Sequence, residues 1–257
     1  MSGVAPGVLD AMAEALCAAR RQGSRVAIPH ADAALTEDDG YAIQARVGQA
    51  LGWFAEGGMR VWKLGGAPAS GPSTAPVPRE ALRASPWQAP PAYAVGYGIE
   101  AEVAVRLARP LPPTASADEA WACIDTLYAA IELCDRRWVG EAPVSAPLQL
   151  ADQQFNRAVI VGAAVPRAER PDWAALRVDV HIAGVVVKRQ RGGHPFVDPL
   201  ASLPWLAAHA ARHGDGLRAG DIVATGSWTG IDWLRPGQTA SVRFDGLGEA
   251  RFTAPAA

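Results

Sequence analysis

The stretch GIEAEVAVRLARP, residues 98–110, decides the fold of this chain and raises the question of its chemistry. Its run of Val, Ala and Leu is typical of a buried β-strand, yet it carries Glu100 and Glu102. Side chains two residues apart on a strand project from one face, with Cα atoms about 7 Å apart. Two carboxylates in an apolar setting repel each other unless a cation neutralises them. The pair therefore predicts a metal site, although an edge strand whose glutamates face water has the same spacing.

A third carboxylate, Glu132, lies in the segment AAIELCD, residues 129–135, which again has the composition of a buried strand. Three carboxylates, with water completing the coordination shell, suit hard cations that prefer oxygen ligands. Zinc would instead prefer histidine or cysteine. The sequence therefore predicts Mg²⁺ or Mn²⁺ bound by Glu100, Glu102 and Glu132.

The composition excludes several classes of protein. With 257 residues and 49% hydrophobic content, the chain is long enough to bury its own core. Its formal net charge of −2 leaves no basic surplus for a nucleic acid partner. No segment reaches the roughly 18 apolar residues of a membrane span, and the N-terminus has no signal-peptide pattern. Three cysteines without a CxxC pair fit reduced thiols, so we expect a cytoplasmic protein with no membrane partner.

The residue pattern predicts an α+β fold in two parts. Residues 1–57 show helical spacing of apolar residues, and Thr36 is placed to cap a second helix, so we expect a small helical N-terminal part. Residues 58–257 show short alternating strands and form the predicted β-rich catalytic body. Within the body, residues 65–92 are dense in Gly, Pro, Ser and Ala, and we interpret them as a long surface loop that acts as a lid.

One lysine lies in the first predicted strand of the body. The alternation in this strand places Lys63 on the same face as Val61, which is expected to be buried. An inward-facing lysine can serve a binding site. The alternative is an ordinary strand lysine whose ammonium group extends to the surface.

Eight segments follow one another along the chain: TEDDGYAIQ, RVWKLGG, GIEAEVAVRLARPLP, AAIELCDRRW, ADQQFNRAVIVGA, DPLASLPWLAAH, LRAGDIVATGSWTG and LRPGQTASVRFDGLGEARF. In this order they resemble the fumarylacetoacetate hydrolase superfamily, in particular its 2-oxopent-4-enoate (2-keto-4-pentenoate) hydratase branch. The resemblance runs from about residue 35 to residue 252. It implies a body of curled, mixed β-sheet, a divalent metal held by Glu100, Glu102 and Glu132, a small 2-oxo acid substrate and a homo-oligomer.

The same resemblance suggests roles for further residues. It places Lys63 beside the substrate, as a positive charge or as an acid/base whose pKa is lowered by burial and the cation. The hydratases usually have an acid in the covering loop, where this chain offers only Glu80. Where they usually read Asp-Asn-x-Ser, this chain keeps Asp152 but has Phe155 in place of the hydroxyl. The catalytic candidates are therefore Lys63, Asp152 and Glu80, and the substrate-binding candidates are Leu64, Gln153, Phe155 and Thr229.

Three functions follow from the resemblance and stay open at this point. The first is a metal-dependent lyase that adds water to a 2-oxo-alkenoate of the 2-hydroxypenta-2,4-dienoate type in the catabolism of aromatic compounds, or a 2-oxo acid decarboxylase of the same branch. The second is a C–C bond hydrolase of an acylpyruvate-type diketone, for which His30 is the candidate base. The third is a protein that keeps the fold and the metal without catalysis.

Overall fold

The N-terminal part of the chain is helical. The structure, a computed structural model, describes residues 4–29, 34–54, 60–140 and 143–256, so the predicted boundary between residues 57 and 58 lies outside the described residues, as does His30. The described helices are α1 (Pro6–Gln22), α2 (Glu37–Ala50), α3 (Ala117–Cys123), α4 (Ala146–Ala151) and α5 (Leu203–His213). Thr36 caps α2 through reciprocal hydrogen bonds with Asp39, as predicted. Helices α1 and α4 both pack against α2 around a small apolar core.

The body consists of two mixed sheets. The described strands are β1 (Val61–Ala67), β2 (Gly71–Val77), β3 (Leu82–Ala84), β4 (Trp87–Gln88), β5 (Gly98–Leu107), β6 (Ile124–Cys134), β7 (Asn156–Val161), β8 (Val165–Pro166), β9 (Arg177–Ile182), β10 (Val185–Arg191), β11 (Ile222–Ser227), β12 (Asp232–Trp233), β13 (Thr239–Phe244) and β14 (Gly248–Thr253). The larger sheet has the order β2-β1-β11-β5-β6-β7-β3, with β12 beside β5 and β8 beside β6. The smaller sheet has the order β10-β9-β13-β14-β4.

The two sheets share one hydrophobic core. Strands β13 and β14 of the smaller sheet pack against β6 of the larger one, and Ile131, Val180 and Phe252 belong to the same buried cluster. Helices followed by a curled, mixed sheet confirm the predicted α+β class. Within the described ranges, none of the helices combines the length and the apolar character that crossing a bilayer requires.

The expectation of a long surface loop over residues 65–92 is wrong. Residues 71–77 form β2, which pairs antiparallel with β1 from Gly71 to Val77, and β3 and β4 follow within the same stretch. Pro72 and Pro76 are tolerated because β2 is the edge strand of its sheet. Residues 72, 74 and 76 alternate with the residues of β2 whose N–H groups bond to β1. The N–H of Thr74, which lies between the two prolines, donates to the Tyr41 hydroxyl and not to β1. A composition typical of a loop therefore belongs to an edge hairpin.

Candidate active site

Strands β5 and β6 bring the predicted carboxylates together. They pair antiparallel in a register that places Glu100 opposite Glu132 and Glu102 opposite Ala130. Ligand atoms of Glu100, Glu132 and Cys134 all lie within 4.8 Å of one another. Glu102 lies two residues from Glu100 on β5, and its carboxyl is close enough to Glu132 for the charge of Glu132 to raise its pKa. The three acids that the sequence singles out thus form one cluster.

Burial and mutual repulsion disfavour the ionised carboxylates. Burial raises the pKa of Glu102 well above its ordinary value, and the charge of Glu132 raises it further. The pKa of Glu100 is raised for the same two reasons. Burial by itself lowers the pKa of Lys63, but the charges of Glu132 and Glu100 outweigh this and raise it above its ordinary value. We expected burial and a cation to lower the pKa of Lys63 for an acid/base role. Burial alone does not lower it, because the neighbouring carboxylates outweigh its effect.

Lys63 faces this cluster from the neighbouring part of the sheet. Its strand, β1, pairs antiparallel with β2 on one side and parallel with β11 on the other. The ammonium Nζ lies 3.1 Å from Glu132 Oε2 and donates to the carbonyl oxygen of Gln154 at 3.5 Å. Only 5% of Lys63 is exposed, so the alternative in which its ammonium extends to the surface is wrong.

The cluster fits a hard divalent cation. Asn156 Nδ2 donates to Glu132 Oε1 at 2.9 Å, and the Gly226 N–H donates to Glu102 Oε2 at 3.1 Å, so both carboxylates are oriented. Glu102 Oε1, however, is buried without a hydrogen-bond partner. Three acidic groups facing the single ammonium of Lys63, with a buried acceptor left unpaired, match the oxygen donors and the charge that Mg²⁺ or Mn²⁺ would require.

A cavity of about 510 Å³ opens onto this cluster, with Lys63 and Glu100 in its wall. Leu64 and Phe155, two of the predicted substrate-binding residues, also line it. Glu102 and Glu132 are buried at 1% and 0% exposure and do not line the cavity themselves. The cavity is therefore charged at one end, where Glu100 and Lys63 meet, and can hold a small molecule against that end.

Comparison with known proteins identifies the family. A family model described as fumarylacetoacetate (FAA) hydrolase C-terminal matches residues 70–254. The chain belongs to the fumarylacetoacetate hydrolase family. The matched segment contains every strand from β2 to β14, while α1, α2 and the Lys63 strand lie outside it.

Curated relatives within the fumarylacetoacetate hydrolase family carry names from the predicted branch. A 4-oxalocrotonate decarboxylase from Pseudomonas putida is 31% identical over 157 residues, and a 2-keto-4-pentenoate hydratase from Burkholderia vietnamiensis is 31% identical over 158 residues. Each match covers 60% of this chain and 59% of the relative, so the chain spans about three fifths of the length of these relatives. The 4-oxalocrotonate decarboxylase from Pseudomonas putida G7, solved with magnesium and adipate, matches with a TM-score of 0.86 at 22% identity, over 98% of this chain and 99% of that one. It has the same fold.

The resemblance to the fumarylacetoacetate hydrolase family suggested Asp152 as a catalytic residue and Gln153 as a substrate-binding residue. Neither side chain lines the cavity, so both assignments are corrected. Asp152 is fully buried and ion-paired with Arg137, whose Nη2 also donates to the Asp152 carbonyl at 2.9 Å. Gln153 Oε1 accepts from Arg20 Nη2 at 2.7 Å. These contacts support a turn in which residues 153, 154 and 155 have φ of 49°, 53° and 67°, a left-handed conformation that non-glycine residues rarely adopt. Asp152 and Gln153 shape the turn that presents Phe155 to the cavity.

Two further candidates also lie outside the cavity wall. Glu80 is exposed in a 3₁₀ turn that follows the end of β2 paired with Val61, whereas the β2 partner of Lys63 is Ala75. Thr229 Oγ1 accepts from the Ala101 N–H at 3.3 Å and donates to a neighbouring carbonyl. The position of Glu80 therefore does not fit a catalytic acid. The Thr229 hydroxyl is hydrogen-bonded to backbone groups and does not line the cavity.

Several residues near the cluster escaped the sequence analysis. Cys134 Sγ lies 3.7 Å from Glu100 Oε2, and its place two residues after Glu132 on β6 could have revealed it. A hydrogen bond from Ser227 to Glu100 partly counters the raised pKa of that carboxyl. His194 gave no local signal, because its contact with Thr225 joins residues that are far apart in the chain.

Proposed function

We propose that this protein is a divalent-metal-dependent lyase that adds water to a 2-oxo-alkenoate of the 2-hydroxypenta-2,4-dienoate type. The observation that carries the proposal is the cluster of Glu100, Glu102, Glu132 and Lys63, of which Glu100 and Lys63 lie in the wall of a cavity large enough for such an acid. Membership of the fumarylacetoacetate hydrolase family and a relative named 2-keto-4-pentenoate hydratase support it.

The three carboxylates would hold Mg²⁺ or Mn²⁺. When bound, such an ion acts as a Lewis acid toward the carboxylate and keto oxygens of a 2-oxo acid, which stabilises negative charge at that end of the molecule. The chain itself keeps the carboxylates in place. Asn156 and the Gly226 N–H fix one oxygen each of Glu132 and Glu102, and Ser227 bonds to Glu100.

Lys63 would carry the proton transfers. Hydration of a 2-hydroxy-2,4-dienoate moves a proton from the 2-hydroxyl to C5 and then adds water, with the hydroxyl at C4 and the proton at C3. Lys63 lines the cavity, and its ammonium is held by Glu132 and the Gln154 carbonyl. A positioned ammonium there can donate a proton to carbon and stabilise the charge that develops on the keto oxygen.

A decarboxylase of the same branch is the second candidate, because a relative named 4-oxalocrotonate decarboxylase is as similar to this chain as the hydratase. The acylpyruvate hydrolase alternative depends on His30 as the base, and that residue lies outside the described part of the chain. A role in aromatic catabolism, a cytoplasmic location and a homo-oligomeric state remain predictions.

The test is a direct comparison of substrates with purified protein and Mg²⁺ or Mn²⁺. We expect 2-hydroxypenta-2,4-dienoate to lose its conjugated absorbance and to yield 4-hydroxy-2-oxopentanoate, identified by NMR. Release of CO₂ from 4-oxalocrotonate would instead favour the decarboxylase, and cleavage of an acylpyruvate would favour the hydrolase. If none of these compounds reacts, in the presence of a metal shown to bind, the proposal of a lyase is wrong.

A further inference from the structure

The positive charge in the described wall of the cavity comes from Lys63, at the end where Glu100 lies. Among the described residues that line it, the ionisable side chains are Glu37, Lys63, Glu100 and His194. Lys63 is committed to the carboxylate cluster by its contact with Glu132. Within the described part of the wall, a second positive charge would therefore have to come from His194.

His194 cannot supply that charge without losing its own contacts. Its Nε2 lies 3.0 Å from the Thr225 carbonyl, to which it must donate, and its Nδ1 accepts the Phe196 N–H at 3.3 Å. One nitrogen carries the proton and the other accepts, which is the neutral tautomer. Burial also lowers the pKa of His194. Both ring nitrogens are occupied, so a ligand in the cavity meets a neutral His194.

The rest of the described wall is uncharged or negative. Leu150, Phe155 and Phe196 provide apolar surface, and Gln149 and Gln154 are neutral. Glu37, in the first turn of α2, is exposed and adds a negative charge that comes from the N-terminal part of the chain. Among these described residues, a carboxylate at the tail of a substrate would find no cation, and it would lie in the same cavity as Glu37.

We propose that this site selects 2-oxo acids with an uncharged tail and rejects those with a second carboxylate, and that Glu37 contributes to the rejection. The inference rests on the proposed function, because it assumes that a 2-oxo carboxylate occupies the charged end. Moving a carboxylate out of water without a partner, or next to a like charge, is unfavourable, and such a repulsive element gives specificity. The selection favours the hydratase over the decarboxylase of 4-oxalocrotonate, which is a dicarboxylate.

Binding of unreactive 2-oxo acids tests this without any turnover. In calorimetry with the Mn²⁺-loaded protein, we expect 2-oxopentanoate to bind at least about tenfold more tightly than 2-oxoglutarate, which has the same chain length with a second carboxylate. Equal or tighter binding of 2-oxoglutarate would overturn the inference and leave the 2-oxo acid site standing. If neither acid binds, the proposed function fails and the inference fails with it.

A pair of variants assigns the effect to Glu37. Glu37→Lys places a cation in the cavity wall, and we expect it to reduce the preference for 2-oxopentanoate by about tenfold. Asp38→Lys is the matched control, because Asp38 is the next residue of α2, is also exposed and shares a second cavity with Glu37 but does not line the cavity of Lys63. The control should keep the wild-type preference. Equal changes in both variants, or no change in Glu37→Lys despite a wild-type circular dichroism spectrum, would contradict the role of Glu37.

Discussion

Glu100 and Glu132 lie directly opposite each other in the antiparallel ladder of β5 and β6. Like-charged side chains at facing positions destabilise such a pair, and burial makes the repulsion stronger. Lys63 lies within ion-pair distance of Glu132. Together with Glu102, the pair therefore requires protons or a further cation, and the first prediction tests the cation.

Glu102→Gln should weaken Mn²⁺ binding by more than about tenfold, because it removes an anionic oxygen donor from the cluster. Isothermal titration calorimetry measures the change directly. Glu80→Gln provides the control, since Glu80 is exposed and lies outside the cavity wall, and it should bind Mn²⁺ and turn over substrate like the wild type. Equal Mn²⁺ affinity in wild type and Glu102→Gln would remove Glu102 from the metal site.

Lys63→Met should lower turnover by about 10²-fold or more, the scale expected for loss of a positioned acid/base. Without metal the variant should also be less stable, because Glu132 loses its buried cationic partner, and Mn²⁺ should restore the melting temperature. Lys188→Met is the natural control, as Lys188 is the other lysine of the chain and pairs with Asp232 outside the cavity wall. Normal turnover of Lys63→Met would show that Lys63 has no chemical role.

Asp152→Asn should cost about 3–5 kcal/mol of unfolding free energy, because it leaves the buried Arg137 without its main partner. Asp125→Asn breaks the more exposed Arg106–Asp125 pair and should cost less than about 1 kcal/mol. Urea denaturation of both variants gives the comparison. If Asp152→Asn kept wild-type stability and lost only turnover, the catalytic role first assigned to Asp152 would have to be reinstated.

His209 should make stability depend on pH. Its ring lies 5.0 Å from those of Tyr41 and Trp205, and burial, followed by the charges of His213 and Arg212, lowers its pKa from 6.5 to about 4. The unfolded chain therefore binds this proton more readily, so the stability from neutral His209 is full above pH 6.5 and is lost as pH falls toward 4. Allowing for partial exposure, the loss is about 1–2 kcal/mol.

Urea denaturation at several pH values between 6.5 and 4 measures this loss. His209→Gln should show a flatter pH dependence than the wild type. His181→Gln, on β9 and outside the ring stack, should keep the wild-type slope. An unchanged slope in His209→Gln would place the acid sensitivity elsewhere.

Local sequence patterns were sufficient to predict the secondary-structure elements that carry the charged residues. The alternation in residues 98–110 and the cap at Thr36 depend only on near neighbours in the chain, so both could be predicted. The common face of Glu100 and Glu102 follows from the alternation of β5, and the apolar run around Glu132 marks a second buried strand that can bring a third acid to them.

What could not be predicted depends on contacts between distant residues. Pro72 and Pro76 suggested a loop, and only the edge position of β2 makes them compatible with a strand. Asp152 was interpreted as a catalytic acid because its ion pair with Arg137 forms only in the folded turn and leaves no signal in the sequence. The left-handed φ of Gln154 has no signature in the residue type itself, since glycine is the usual residue there.

Arg20 connects the helical N-terminal part of the chain to the carboxylate cluster. This α1 residue donates to Gln153 Oε1 and to the Asn156 carbonyl, and the Asn156 side chain donates to Glu132. Neither Arg20 nor Lys63 belongs to the segment matched by the family model. A chain shortened to that segment would lose the Lys63 ammonium and the hydrogen bonds of Arg20. The unit that must be inherited or transplanted intact is therefore larger than the segment by which the family is recognised.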